Sequence, residues 1–246
     1  MMILNKDTIG LYSQWREEVD NAGGAILIDK QSDWTSSDIV VKLRNMIRVK
    51  KIGHAGTLDP LATGLLILCA GKATKSINTF QDQPKEYVAV IRLGATTKTD
   101  DSEGTEENVM QIDHITRGEI EQTLQQFIGD IEQIPPMYSA LKVGGKKLYE
   151  LARKDKVIER SARQVTIYSC ELENFELPFC TVKVQCSKGT YIRTLAKDIG
   201  SALGVGGYLA SLRRTKIGEF SVETALTVSD IQQILTQGSQ QNIELN

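Results

Sequence analysis

The chain has 246 residues, 41% hydrophobic and 24% charged, with a formal net charge of −2. This length supports a substantial core, and the composition is that of a globular protein rather than a disordered or fibrous one. The longest apolar run, residues 65–70, is far too short to cross a bilayer. The opening residues carry early acids and no small-residue cleavage pattern, so they do not read as a secretory signal. Cys69, Cys170, Cys180 and Cys186 show no CxxC spacing, which points to buried, reduced thiols of a cytoplasmic protein rather than to metal or disulfide use.

In chain order, "GAILIDK" (24–30) reads as a strand. "TSSDIVVKLRNMI" (35–47) follows as an amphipathic helix, with a Thr-x-x-Asp capping box and apolar residues at 39, 40, 43, 46 and 47. "GHAGTLDPLATG" (53–64) sets a His, an Asp and three glycines around an Asp-Pro step; Pro60 holds Asp59 toward extended geometry. "LLILCAG" (65–71) reads as a buried strand, "ATKSINTF" (73–80) as a short helix and "KEYVAVIRLG" (85–94) as an alternating strand. "RGEIEQTLQQFIG" (117–129) is helical. Two strands, 163–177 and 179–189, meet near Pro178. "TYIRTLAKDIGSALG" (190–204) is a helix closed by Gly. "TVSDIQQIL" (227–235) is a short capped helix before a polar, mobile tail. This irregular interleaving, with adjacent strands, predicts an α+β fold: a mixed, largely antiparallel sheet flanked by helices and loops.

The small net charge conceals local bias. "KLRNMIRVKK" (42–51) carries five basic residues and no acid, and bases recur in 141–147, at Lys183, Lys188 and Arg193, and in 212–216. Together they predict a basic face suited to a phosphate backbone. Acids gather in "DDSEGTEE" (100–107), whose spacing does not fit a calcium loop, so it reads as a solvated turn.

Several chemistries are excluded. Two histidines, His54 and His114, do not make a multi-histidine metal site. No GxGxxG follows a strand and no GxxxxGK[ST] occurs, so dinucleotide and P-loop chemistry lack support. What remains is Asp59 as a carboxylate acting alone, as nucleophile or base, without metal or cofactor. A turn or cap residue before Pro60 is its other reading.

"KIGHAGTLDPLATGLLILCAGKATK" resembles the catalytic segment of the TruB-type tRNA pseudouridine synthases, which isomerise uridine 55 in the T-loop of tRNA. The likeness continues in order through "DK…WTSSDIV", "KEYVAVIRLGATTKTDDSEG", "FIGDIEQIPPMYSALKVGGKKLYELAR", "CSKGTYIRTLAKDIG" and "YLASLRRTKIGEF", over residues 24–222. In one place the chain departs: the family reads Lys-Pro-x-Gly where this chain has "KQSD" (30–33), with Gln31 and Asp33 at the Pro and Gly positions. The resemblance implies a pseudouridine synthase fold and places Asp59 as the catalytic nucleophile. It pairs Arg193 with that carboxylate and stacks Tyr87 on the target base, with a share in proton transfer. His54 is implied to stack among flipped nucleotides, and Tyr191 and Leu212 to line the pocket.

The expected function is therefore formation of pseudouridine 55 in tRNA by a cytoplasmic monomer that needs no metal, organic cofactor, membrane or obligatory protein partner. The partner is the T-arm of tRNA. A guide-RNA-dependent relative and a catalytically silent tRNA chaperone are the competing readings. The expected division is an N-terminal extension (1–23), a catalytic domain (24–222) and a short C-terminal helix and tail (223–246) with no PUA domain.

Overall fold

The structure is a computed structural model that describes residues 1–139, 141–143, 145–152 and 158–244. The chain runs β1 (Met2–Leu4), α1 (Tyr12–Ala22), β2 (Gly24–Lys30), α2 (Ser36–Ile47), β3 (Ile52–His54), β4 (Thr63–Ala70), a 3-10 segment (Gly71–Ser76) and α3 (Ile77–Gln81). There follow β5 (Lys85–Leu93), β6 (Thr96–Thr97), β7 (Glu106–Glu107), α4 (Arg117–Gln125), β8 (Gly129–Gln133), β9 (Lys142–Val143), β10 (Lys146–Lys147) and α5 (Leu148–Ala152). The remainder is β11 (Arg163–Glu176), β12 (Phe179–Cys186), α6 (Ile192–Ala202), β13 (Gly207–Ile217), β14 (Phe220–Ser221) and α7 (Val228–Glu244). Two compact units result. Unit 1 is Met1–Lys85 with the segment from Arg213 onward, and unit 2 is Glu86–Leu212.

In unit 1, β2 and β4 pair antiparallel from Gly24↔Ala70 to Lys30↔Gly64. β1 lies parallel to β2, and β13 runs parallel to β4 at Thr63 and Gly64. Both faces of this sheet are covered, which is why the two central strands are almost continuously apolar. Ile26, Ile28, Leu66 and Leu68 pack against Ile39, Leu43 and Ile47 of α2, Trp15 and Val19 of α1, and Ile231 of α7. Ala25, Leu27, Leu65, Ile67 and Cys69 form the opposite face with Phe80 and Ile217. The predicted capping box is present: the Thr35 hydroxyl accepts from the Asp38 N–H at 3.0 Å, and Asp38 accepts from the Thr35 N–H at 2.9 Å.

Three features depart from expectation or were not foreseen. Residues 73–80 are not one helix, because the Thr74 hydroxyl bonds back to the Gly71 carbonyl at 2.9 Å and tightens a 3-10 turn ahead of α3. α7 continues to Glu244 where a mobile tail was expected after 235; its glutamines are good helix formers. The first 22 residues build β1 and α1 into the core. Arg16 of α1 donates to the Ile47 and Arg48 carbonyls at 2.8 and 2.7 Å, capping the C-terminus of α2. Trp15 lies so close to Gly24 that a Cβ there would sit 2.3 Å from its Nε1.

In unit 2 the strand order is β5–β12–β11–β8, with β11 antiparallel to both neighbours and the β11–β12 turn made at Leu177–Pro178. Thr116 and Glu119 form a second capping box at α4. None of the four cysteines forms a disulfide. All are buried, and burial pushes Cys69 up to about 11 and Cys170 and Cys180 up to about 12. The sheets and flanking helices make the chain α+β.

Trp15 is 1% exposed and central to this packing. Trp15→Ala is expected to lower unfolding free energy by about 3–5 kcal/mol, read as a fall in urea midpoint.

Candidate active site

In unit 1 the segment 53–64 leaves the sheet after β3 and returns to it at β4, presenting Asp59 half-buried between. Its path is fixed by backbone hydrogen bonds to buried side chains. The Ser36 hydroxyl accepts from the Leu58 N–H at 2.9 Å and donates to the Leu58 carbonyl at 3.1 Å. The Pro60 carbonyl accepts from the Asp33 N–H at 2.9 Å and from the Lys30 ammonium at 3.1 Å. Lys30 also donates to the carbonyls of Gln31 and Trp34, at 2.9 and 2.7 Å, so all three of its protons are placed. At the exit, Gly64 has φ 101°, and a Cβ there would lie 2.3 Å from the Arg214 carbonyl; only glycine lets β13 approach.

Asp33 answers the question raised by "KQSD". It sits in the left-handed region with φ 66°, a conformation that Asp tolerates better than most residues.

Two buried cations border the loop. Lys30 is 0% exposed, and burial pulls its pKa down to about 8 against the opposing pull of Asp59 and, less strongly, Asp33 and Asp38; the Arg214 charge pulls it down further. Arg214, 1% exposed, donates to the carbonyls of Leu65 (2.7 Å), Gly56 (3.2 Å) and Thr57 (3.5 Å). His54 is partly buried and its pKa is lowered, first by burial and then by the Arg214 charge.

Unit 2 holds the other predicted residues. Tyr87 on β5 and Leu212 on β13 are buried, and Tyr191 immediately precedes α6. Gln133 brackets Tyr191: its side chain accepts from the Tyr191 N–H at 2.9 Å and donates to the Tyr191 carbonyl at 3.2 Å. Arg193, in the first turn of α6, pairs with Asp101 at 3.2 Å, with side chains 5% and 2% exposed. It also donates to the Thr99 and Tyr138 carbonyls, at 3.3 and 2.6 Å. The acidic stretch is thus not simply a solvated turn. Asp101 is sealed by Thr97, whose hydroxyl donates to the Asp101 carbonyl at 2.7 Å, and its carboxylate takes the Glu103 N–H as well as Arg193.

The predicted basic face needs the same correction. Lys42, Arg44, Arg48, Lys50, Lys51, Lys188 and Lys216 are exposed, but Arg193 and Arg214 are buried and Arg213 forks onto Asp29 at 2.7 and 3.0 Å. The lysine side chains of the basic stretch 141–147 lie outside the described residues. Lys30, Asp101, Gln133 and Arg214 escaped the sequence reading of the site. A basic or acidic residue within an apolar or turn sequence carries no signal of its burial.

Comparison with known proteins gives a consistent pattern. Residues 44–192 match the model of the TruB family pseudouridylate synthase N-terminal domain, and 193–245 that of the tRNA pseudouridylate synthase B C-terminal domain. The tRNA pseudouridine synthase B of Parabacteroides distasonis is 48% identical over 222 residues, covering 88% of this chain and 94% of that protein. That of Cupriavidus metallidurans is 50% identical, covering 85% and 67% respectively. Among solved structures, a chain of a Cbf5-Nop10-Gar1 complex superposes with a TM-score of 0.68 at 30% identity. The match covers 88% of this chain but only 56% of that one.

Two outcomes follow from the buried charges. Asp101→Ala would remove a buried, charge-assisted hydrogen bond from the Arg193 guanidinium, and unfolding free energy should fall by about 1.5–3 kcal/mol in chemical denaturation. Between about pH 8 and 10.5 the folded chain has released the Lys30 proton while the unfolded chain still holds it. Stability contributed through this group should therefore rise with pH across that window. Urea midpoints of the wild type and Lys30→Met, compared from pH 7 to 10.5, should show a rise in the wild type that the variant lacks.

Proposed function

Because the chain belongs to the TruB family of pseudouridylate synthases, we propose that it converts uridine to pseudouridine at position 55 in the T-loop of tRNA. The observation that carries this reading is the family match across 44–192, joined to relatives of 48–50% identity named tRNA pseudouridine synthase B. The reaction breaks the bond from C1′ to N1 and forms one from C1′ to C5. N1 gains a proton and C5 loses one, so no electrons enter or leave and no redox or group-carrying cofactor is called for.

In this reading Asp59 is the nucleophile, presented by a loop whose main chain is held from below. Arg193 steadies the reacting carboxylate, its own position set by Asp101 and two carbonyls. Tyr87 stacks on the target base and shares in proton transfer. His54 takes the place of stacking lost when nucleotides are extruded, a loss of a few kcal/mol. Tyr191 and Leu212 line the uridine pocket. The exposed bases of 42–51 supply phosphate contacts to the T-arm; between Ile39 and Gln81 the only carboxylate in the sequence is Asp59.

We also take the protein to act alone, as a cytoplasmic monomer with its catalytic domain in residues 24–222. No helix among the described residues is long and apolar enough to cross a membrane. A guide-dependent mode has the Cbf5 likeness in its favour, but at 30% identity against 48–50% for the relatives named tRNA pseudouridine synthase B.

The purified protein, given an unmodified tRNA transcript and nothing else, should form pseudouridine at position 55. No product from the free protein would leave the guide-dependent or chaperone reading. Asp59→Asn should reduce turnover below about one percent while tRNA affinity stays within a few-fold, since binding is spread over backbone contacts. Arg193→Ala should lose most activity. A near-normal rate for Tyr87→Phe would limit that residue to stacking.

A further inference from the structure

Arg214 is a full positive charge at 1% exposure, and among the described residues no carboxylate lies within ion-pairing distance of it. An unpaired buried charge is costly, so its placement calls for a reason beyond packing. Its bonds give one. Nε donates to the Leu65 carbonyl at the C-terminal end of the Asp59 loop, while Nη2 and Nη1 donate to the Gly56 and Thr57 carbonyls at the N-terminal end. The main chain of the same residue pairs with Gly64, where the loop rejoins the sheet.

We propose that Arg214 is the positioning residue of the Asp59 loop, tying its two ends together through backbone carbonyls across a span that only a guanidinium fork can bridge. The proposal rests on the catalytic reading of Asp59 given above. A guanidinium suits the task because its donors diverge in a rigid plane and it is more weakly hydrated than an ammonium. A lysine at 214 would carry the same charge but reach only one end. Asp59 lies between the two anchored ends, so slack in either swings its carboxylate. A displacement of about 1 Å in a reacting group can cost about 100-fold in rate.

His54 offers an independent view of the same residue. Burial, then the Arg214 charge, opposes protonation of its ring, with the Gly56 backbone acting the other way. Its Nδ1 is buried without a hydrogen-bond partner, so a second ring proton would be left unsatisfied there. The other charged groups around this part of the unit, identified through Lys30, are Lys30 itself, Asp33, Asp38 and Asp59. His54 should therefore stay neutral, in the flat uncharged form suited to stacking.

The test combines kinetics with histidine NMR, which is tractable because the chain has two histidines and His114 is exposed. In Arg214→Lys, the single-turnover rate should fall about 100-fold. Its tRNA affinity should stay within about threefold of the wild type, since Arg214 is buried away from phosphate contacts, and its His54 titration should be unchanged. In Arg214→Gln the rate should also fall, and the His54 titration should move up toward the ordinary value. A folded Arg214→Lys with a rate within about threefold of the wild type would overturn the positioning role, because a guanidinium fork would then not be needed. So would Asp59-loop amides that exchange as slowly in Arg214→Lys as in the wild type. A fall in thermal stability with an unchanged rate would reduce Arg214 to a packing residue. If the wild type itself forms no pseudouridine, the functional reading fails, while hydrogen exchange of the Asp59-loop amides, expected to quicken in Arg214→Lys, still decides whether Arg214 holds the loop.

Discussion

The Lys30 ammonium is closed off from water and gives its three protons to the carbonyls of Gln31, Trp34 and Pro60. Burying such a charge costs free energy, and the cost is offset only while those three oxygens keep their places. The turn after β2, the entry to α2 and the Asp59–Pro60 step are thereby locked to a single point. Ser36, bonded to both sides of the Leu58 peptide, adds a second fixed point from the first turn of α2. A loop of this composition would otherwise sample many conformations, because glycines at both ends relax the backbone. Here side chains rooted in the sheet and in α2 hold it.

Unit 2 uses a related device with the signs paired. Arg193 and Asp101 neutralise each other at 3.2 Å, and carbonyls and an N–H take up the donors and lone pairs left over. Buried pairs of this kind contribute little net stability compared with apolar side chains, but they are strict about geometry. That suits a residue whose direction matters. Gln133 does the same for the Tyr191 peptide without any charge, meeting its N–H and carbonyl with one amide.

Periodicity and caps were legible in the sequence. The strand at 24–30 and the helix begun by Thr35 and Asp38 follow from patterns internal to a few residues, and the structure reproduces them. The family and the Asp59 segment were legible because short motifs recur in order along the chain. What was not legible depends on distant residues. Asp101 lies in a stretch whose composition is that of a solvated turn, and only the arrival of α6 buries it. Arg214 reads as one of three bases within four residues, yet strand alternation sends it inward while Arg213 turns to the other face and forks onto Asp29. The first 22 residues read as an extension because the family resemblance begins only at residue 24. Trp15 and Val19 still suffice to fill the space beside Gly24 and Ala70.

Unit 1 is discontinuous in the chain, since all of unit 2 lies between Lys85 and Arg213. Arg214 stands 149 positions after Leu65 and 158 after Gly56, the carbonyls it joins. At ordinary ribosomal speeds of roughly 5–20 residues per second, some 7–30 s pass between synthesis of the acceptors and of their donor. Through that interval the chain has its Asp59 segment but not the guanidinium that bonds both of its ends. Order of manufacture thus withholds a finished loop until Arg214 has been made, and under the proposed function a nascent chain meeting tRNA at the ribosome meets it unarmed.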